Sequence, residues 1–408
     1  MVICCHKRKE TYSICGRFVK GGRYMAFEFL VPKQIMVGEG ALEKAIPVWT
    51  EWGRKALIVA DPMMVQLGNT GKVAAALQKA GLESTVYSEI TGEPTDKMIE
   101  AGLNLYQSEH CDCLIAIGGG SALDSMKAIG ALVSNGGKIT DYMGKEITKP
   151  TPHMAAIPTT AGTGSEATQF TIINDTQNNV KMLLKGRVLI PELAIVDPQF
   201  TLSAPKKITA STGMDAFTHA AEAYTSKKAT KMSDTFALSA LRRIVKYLPI
   251  AYQDGANVEA REEMAIAALE AGIAFNNASV TVVHGMSRPI GALFHVPHGI
   301  SNAMLDEKCF EYVIDGAYDR FADLSRAVGR ATTEMSDQDA AEEFLNVVRE
   351  LCRICEIPTL REYGIDEGTF MAELDKMASD AMESGSPSNT RKKLEKEDLI
   401  RIYQSLWQ

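Results

Sequence analysis

Short apolar runs that each stop at a turn-forming cluster set the frame for this chain. Residues Lys55–Ala60 read Lys-Ala-Leu-Ile-Val-Ala and end at Asp61-Pro62. Residues 113–117 read Cys-Leu-Ile-Ala-Ile and enter Gly118-Gly119-Gly120-Ser121. Residues 154–157 run into Pro158-Thr159-Thr160-Ala161-Gly162-Thr163-Gly164-Ser165-Glu166. Continuous rather than alternating apolar runs suit strands buried on both faces, as in a parallel sheet. A helical stretch over 73–79 stopped at Gly81, a strand over 85–90 and a helix over 96–108 fill the spaces between them. Strands alternating with helices predict a mostly parallel, doubly wound α/β sheet, whose ligands bind at the carboxyl ends of the strands. Residues 168–173 and 180–184 flank a polar turn and read as a hairpin, and Leu193–Val196 as a last strand.

Beyond Lys206 the strand signals fade. Helical patterns cover 214–223, 233–247, 260–276, 318–328, 337–355 and 366–382. The expected organisation is an α/β dinucleotide-binding domain over 25–205 and an all-helical domain over 206–408. Residues 213–222, Gly-Met-Asp-Ala-Phe-Thr-His-Ala-Ala-Glu, read as the opening of a helix. The four-residue spacing puts Asp215 and His219 one turn apart on one face. A carboxylate oxygen beside an imidazole nitrogen suits a divalent transition metal such as Fe, Mn, Co or Zn. A surface hydrogen bond would use the same spacing, so the case depends on two further histidines, His284 and His298.

The glycine turn is the candidate for an anion. Residues without side chains let backbone N–H groups approach a phosphate, and Ser121 is positioned to cap the helix that starts near Ala122. The turn is not the GxGxxG fingerprint. The second loop, with Thr159, Thr160 and Thr163, offers hydroxyls for a pyrophosphate or ribose. Asp61 could accept from an adenosine ribose and repel a 2′-phosphate, favouring NAD over NADP; a plain N-cap before Pro62 fits the same residues.

Composition narrows the partners. The chain has 408 residues, 46% of them hydrophobic, and a formal net charge of −8 without a basic stripe, which argues against nucleic acid. No uninterrupted apolar run approaches the ~18–20 residues of a membrane helix. Eight cysteines are too dilute for a disulfide scaffold, and their use suggests a reducing compartment, the cytoplasm. Cys352 and Cys355 form a CxxC inside a helical pattern, with no second pair to complete a zinc site. Residues 1–24 differ from the rest, with three of the cysteines and six Lys/Arg. They are expected to be a non-native or disordered extension, with the true start at Met25.

Four blocks, 118–128 (GGGSALDSMKA), 158–168 (PTTAGTGSEAT), 213–234 (GMDAFTHAAEAYTSKKATKMSD) and 284–299 (HGMSRPIGALFHVPHG), give the chain from Met25 onward a resemblance to the iron-containing (group III) alcohol dehydrogenases. That resemblance implies the dehydroquinate-synthase-like fold and a homodimer. It implies metal ligands at Asp215, His219, His284 and His298. It also implies NAD contacts at Asp61, Gly119, Gly120, Ser121, Thr159, Thr160, Thr163 and Lys181. Phe170 and Phe275 match positions near the substrate channel. The metal is expected to be Fe2+, with Zn2+ or another divalent ion open, and the substrate a small primary alcohol or diol or its aldehyde. One position departs: where many members carry a proton-relaying histidine, this chain has Arg288. An arginine stays protonated and is no ordinary base. The expectation is that His295 or the cofactor ribose relays the proton, or that Arg288 binds an anionic or polar substrate group. A lyase of the dehydroquinate-synthase type and a non-catalytic nucleotide-binding protein are the alternatives.

Overall fold

The computed structural model describes residues 26–178 and 180–408. The expected extension over 1–24 lies outside them. Eight strands form: β1 (Gln34–Val37), β2 (Lys55–Ala60), β3 (Glu83–Tyr87), β4 (Cys113–Gly118), β5 (His153–Pro158), β6 (Phe170–Asp175), β7 (Val180–Lys185) and β8 (Leu193–Val196). Six make one sheet in the order β1-β8-β5-β4-β2-β3, all parallel, and β6 and β7 form a separate antiparallel hairpin.

The apolar runs have the reason anticipated for them. Leu57, Val59, Leu114, Ala116, Met154 and Ala156 enter one core, and Ala56, Ile58, Ile115, Ile117, Ala155 and Ile157 enter another on the opposite face. Each central strand therefore feeds two cores through its two-residue alternation. Truncating a residue such as Leu114 to Ala would cost roughly 2–5 kcal/mol. The strand order reverses between β2 and β4, since β3 lies on one side of β2 and β4 on the other. A crevice at such a reversal is where open α/β sheets bind ligands. Asp61 follows β2 and Gly119 follows β4, so both stand at its lip.

Six helices matter for the site: α1 (Gly120–Asn135), α2 (Lys206–Thr225), α3 (Lys231–Gln253), α4 (Val258–Ala278), α5 (Val282–Phe294) and α6 (His298–Val313). From Lys206 onward the described residues form only helices and loops around one large core and a small separate cluster of Ala322, Ala331 and Ala340, apart from an isolated bridge between Ser226 and Thr390. The two halves meet closely at two glycines. Gly164, at φ 60° in the second loop, faces Gly272 of α4, and a Cβ on Gly164 would stand 2.5 Å from the Gly272 Cα. Backbone rests on backbone there.

Three expectations need correcting, and one strand was missed. The metal-candidate helix does not open at Gly213; it starts at Lys206, and Gly213 is an interior position that makes room for the Leu248 side chain. Ser121 does not cap α1, whose N-cap is Gly119 without a side-chain bond. The single helix expected over 366–382 is two, Glu367–Ala372 and Leu374–Glu383, parted at Glu373. Edge strand β1 gave no signal because it has only four residues, and Ile35 and Val37 face outward.

Candidate active site

Helix α2 carries Asp215, Thr218, His219 and Glu222 on one buried face, the i, i+3, i+4, i+7 set. Helix α5 brings His284 and Arg288, one turn apart, and α6 brings His298 and Asn302 at the same spacing. Asp215 Oδ1 lies 3.6 Å from His284 Nε2 and 3.7 Å from His298 Nε2. Nitrogen and oxygen ligands about 2.1 Å from one ion in a tetrahedron stand about 3.4 Å apart. The donor atoms of Asp215, His284 and His298, all within 4.8 Å of one another, are therefore spaced to share a cation.

His219 stands at the edge of this group. Its Nδ1 is 3.9 Å from Asp215 Oδ2, and its ring stacks between Phe275 (4.1 Å) and His284 (4.4 Å). That Nδ1 is fully buried and has no hydrogen-bond partner. A buried nitrogen lone pair beside a carboxylate is the kind of orphan that a cation satisfies. The residues present fit a divalent metal.

Electrostatics agree. Burial works to raise the Asp215 carboxyl, but His219, His298 and His284 outweigh it and hold it below the ordinary carboxylate range. Burial brings His219 down to about 4 and His298 to about 3, so both imidazoles are neutral near pH 7. Burial also pulls His284 down, but Asp215 and Glu222 push it up to about 9. Loading a metal there would displace the His284 proton.

Two supporting residues went unassigned in the sequence. Glu222 accepts from Thr281 Oγ1, from the Val283 N–H and from His284 Nδ1, each at 2.6 Å, and so fixes which face His284 turns toward Asp215. Its place seven residues after Asp215 was the available signal. Asn302 Nδ2 donates to Asp215 Oδ1 at 2.8 Å and lies 3.2 Å from His284 Nε2 and 3.4 Å from His298 Nε2. Its signal was the four-residue step from His298.

On the sheet side, Asp61 does serve as an N-cap: Oδ1 accepts from the Met64 N–H at 3.0 Å. Its other oxygen faces the glycine turn, 3.2 Å from where a Gly118 Cβ would be. The two loops touch each other. Thr159 N–H donates to the Gly118 carbonyl at 3.0 Å, the Thr160 methyl packs on Gly119, and the Thr163 methyl fills the space a Gly120 side chain would need. Ser121 is half-buried at the start of α1. Lys181, on β7, pairs with Glu93, and its charge reaches His298. Beneath the second loop lies a buried Lys127. It donates to Ser165 Oγ (2.8 Å), Thr168 Oγ1 (3.1 Å) and the Phe170 carbonyl (2.9 Å).

One cavity of about 330 Å³ joins the halves, lined by Gly120 and Thr163 on one side and by Asp215, His219, His284 and His298 on the other. Phe170 and Phe275 line it too, with ring centroids 6.5 Å apart, as does Arg288. His295 does not. It is exposed at the C-cap of α5, at φ 55°, and its charge acts on Glu93, the partner of Lys181.

A phosphate-type turn at a sheet's reversal point, facing a carboxylate–imidazole cluster across one cavity, defines a metal-assisted dehydrogenase. The comparisons narrow that class. Residues 32–198 match the iron-containing alcohol dehydrogenase family, and residues 209–407 its C-terminal part. The chain belongs to the iron-containing alcohol dehydrogenases and is an oxidoreductase of alcohols or diols. It is 34% identical over 377 residues to the NAD-dependent methanol dehydrogenase of Bacillus methanolicus, covering 92% of this chain and 98% of the relative. It is 37% identical over 386 residues to the 1,3-propanediol dehydrogenase of Citrobacter freundii, covering 92% and 97%. The solved alcohol dehydrogenase from Oenococcus oeni superposes with a TM-score of 0.90 at 34% identity, over 93% of this chain and 100% of that one. This membership sets aside the lyase and non-catalytic alternatives.

Proposed function

We propose that the chain interconverts a short primary alcohol or diol and its aldehyde, with NAD as hydride carrier and a divalent metal, iron first and zinc or another ion second. The observation that carries the reading is the joint placement of Asp215, His284 and His298 across one cavity from the Gly119–Thr163 loops. In this reading Asp215, His219, His284 and His298 hold the metal. The backbone of Gly119, Gly120 and Ser121 receives the pyrophosphate. Thr159, Thr160, Thr163 and Lys181 flank it, and the free Asp61 oxygen accepts from ribose.

When bound, the cation supplies Lewis acidity toward the alcohol or carbonyl oxygen, and the nicotinamide supplies the hydride acceptor. The chain's own part is placement. Glu222 keeps the His284 proton on Nδ1 and its Nε2 toward Asp215. Phe170 and Phe275 present apolar surface to the carbon chain and exclude water. Arg288 stays charged and takes no proton. Action as a homodimer in the cytoplasm completes the reading; the buried free thiols of Cys113, Cys309 and Cys355 fit a reducing compartment.

The test is an anaerobic assay with NAD and Fe(II) over two- to six-carbon alcohols and diols. Reduction of NAD with at least one of them is expected. Its failure with every alcohol, at full metal loading, refutes the proposal.

A further inference from the structure

Arg288 is out of keeping with the other recessed arginines of the molecule. Arg261 donates to Gly255 O, Thr209 Oγ1 and Ala204 O. Arg320 donates twice to Tyr224 O and once to Asp234. Arg288 has no hydrogen bond and no ion pair among the described residues. The charge that acts on it is Glu222, whose oxygens are already taken by Thr281, Val283 and His284. A half-buried guanidinium without a protein partner keeps its five N–H donors free, in a planar fork that matches an oxyanion. Burial pulls its pKa below the ordinary guanidinium value, but far from any range where it would lose its charge.

The surroundings say what would satisfy it. Arg288 lies one turn, about 5.4 Å along the axis, beyond His284 on the same helix and lines the same cavity. Lys228 lines the cavity as an exposed residue and adds a second positive charge, with Ser384 and Ser386 beside it as hydroxyls. The carboxylates on the cavity wall are engaged elsewhere: Asp124 accepts from Ser165 Oγ (2.6 Å) and the Ile172 N–H (2.9 Å), and Asp215 faces the imidazoles. Ile172, Leu183, Phe170 and Phe275 supply the apolar wall. The cavity thus has an oxygen-binding cluster, an apolar flank and an unsatisfied cationic corner one helical turn away.

We infer that the preferred substrate is a short ω-hydroxy acid, or the matching aldehyde acid, whose far-end carboxylate or sulfonate is held by Arg288 with help from Lys228. This rests on the dehydrogenase reading above and specifies its substrate class. The tether between the reacting carbon and the oxyanion is short, because the oxygen-binding cluster and Arg288 line one cavity of about 330 Å³.

The experiment compares kcat/KM of the metal-loaded enzyme for a four-carbon terminal diol with that for the ω-hydroxy acid and the ω-hydroxy sulfonate of the same length. Wild-type enzyme is expected to favour an anion. The anion-to-diol ratio should fall roughly ten- to hundredfold in Arg288→Gln, chiefly through KM, and recover in part in Arg288→Lys. The carboxylate and sulfonate arms tell which oxyanion fits. An unchanged ratio in Arg288→Gln overturns the inference, as does weakened NAD binding with the ratio preserved, which would assign Arg288 to the cofactor. Turnover of the diol with none of either anion overturns the inference alone; absence of turnover with all three refutes the dehydrogenase reading beneath it. Should Arg288→Gln not fold, competitive inhibition of wild type by straight-chain monocarboxylates, against their neutral amides, gives the answer. Equal inhibition by acid and amide overturns the inference.

Discussion

Replacing Glu222 by Gln tests how the metal centre is aimed. Glu222 Oε1 accepts from the Thr281 hydroxyl and the Val283 N–H, while Oε2 faces His284 Nδ1. A glutamine can keep its carbonyl oxygen where Oε1 was, so both loop donors stay satisfied. Its NH2 must then face His284 Nδ1. Two donors cannot share that contact, so the ring moves its proton to Nε2, the nitrogen turned toward Asp215. A protonated Nε2 cannot bind a metal. Losing such an outer partner of a ligating histidine costs about 10–100-fold in metal affinity, or about 1.4–2.8 kcal/mol. Competition titration of metal-free protein with Zn(II) or Fe(II) against a chromophoric chelator measures it. Circular dichroism of the metal-free variant checks that the helices persist. A folded Glu222→Gln protein with affinity within about twofold of wild type would refute the reasoning, because His284 would then need no acceptor at Nδ1.

Three further outcomes are expected. Asp61→Gly should raise the NADP-to-NAD ratio of kcat/KM about tenfold or more by removing a negative charge near the ribose, and should lose only a few tenths of a kcal/mol of stability with the N-cap, read from thermal melts; an unchanged cofactor ratio removes Asp61 from the cofactor site. Burial pushes Glu166 up to about 7 from the usual 4.5, so the folded state holds this proton more tightly than the unfolded one. Its contribution is then fully present below 4.5 and lost as pH rises through about 7, a decline of up to about 3 kcal/mol. Glu166→Gln should therefore outlast wild type in urea at pH 8 more than at pH 5, and equal gains at both would contradict the assignment. Removing metal by chelation should abolish NAD reduction and lower the melting temperature, with Fe(II) restoring both; at a free metal concentration about 100 times Kd the stabilisation is about 2.7 kcal/mol. An unshifted melt would mean that the cluster binds no metal in the folded state.

The parts of this molecule that were readable beforehand share a physical cause. β2, β4 and β5 were legible because both faces of each are buried, which forces an uninterrupted apolar run. Their glycine and threonine loops were legible because backbone approach forbids side chains there. Asp215 and His219 were singled out by residue type and spacing, while the full set with His284 and His298 rested on the family resemblance. What escaped depends on contacts between segments distant in sequence. Glu222 and Asn302 act only because α5 and α6 fold over α2, and the helical spacing that puts them on the faces of Asp215 and His298 does not say what they will meet. Gly213 looked like a helix boundary since a lone glycine carries no sign of the leucine that will press on it. His295 looked like a participant by proximity in the chain, while it stands exposed at the C-cap of α5 and does not line the cavity. Helix α5 was hidden by composition: Gly285, Pro289 and Gly291 weaken the helical pattern that packing nonetheless stabilises.

The Lys127 ammonium grips Ser165 and Thr168 with one hand and the Phe170 carbonyl with the other. The loop proposed to receive the dinucleotide and the wall that meets the carbon chain thus share one fastener. Neither can be reshaped without dragging its neighbour, so in this scaffold a change of coenzyme choice and a change of substrate range would be inherited together and not as separable traits.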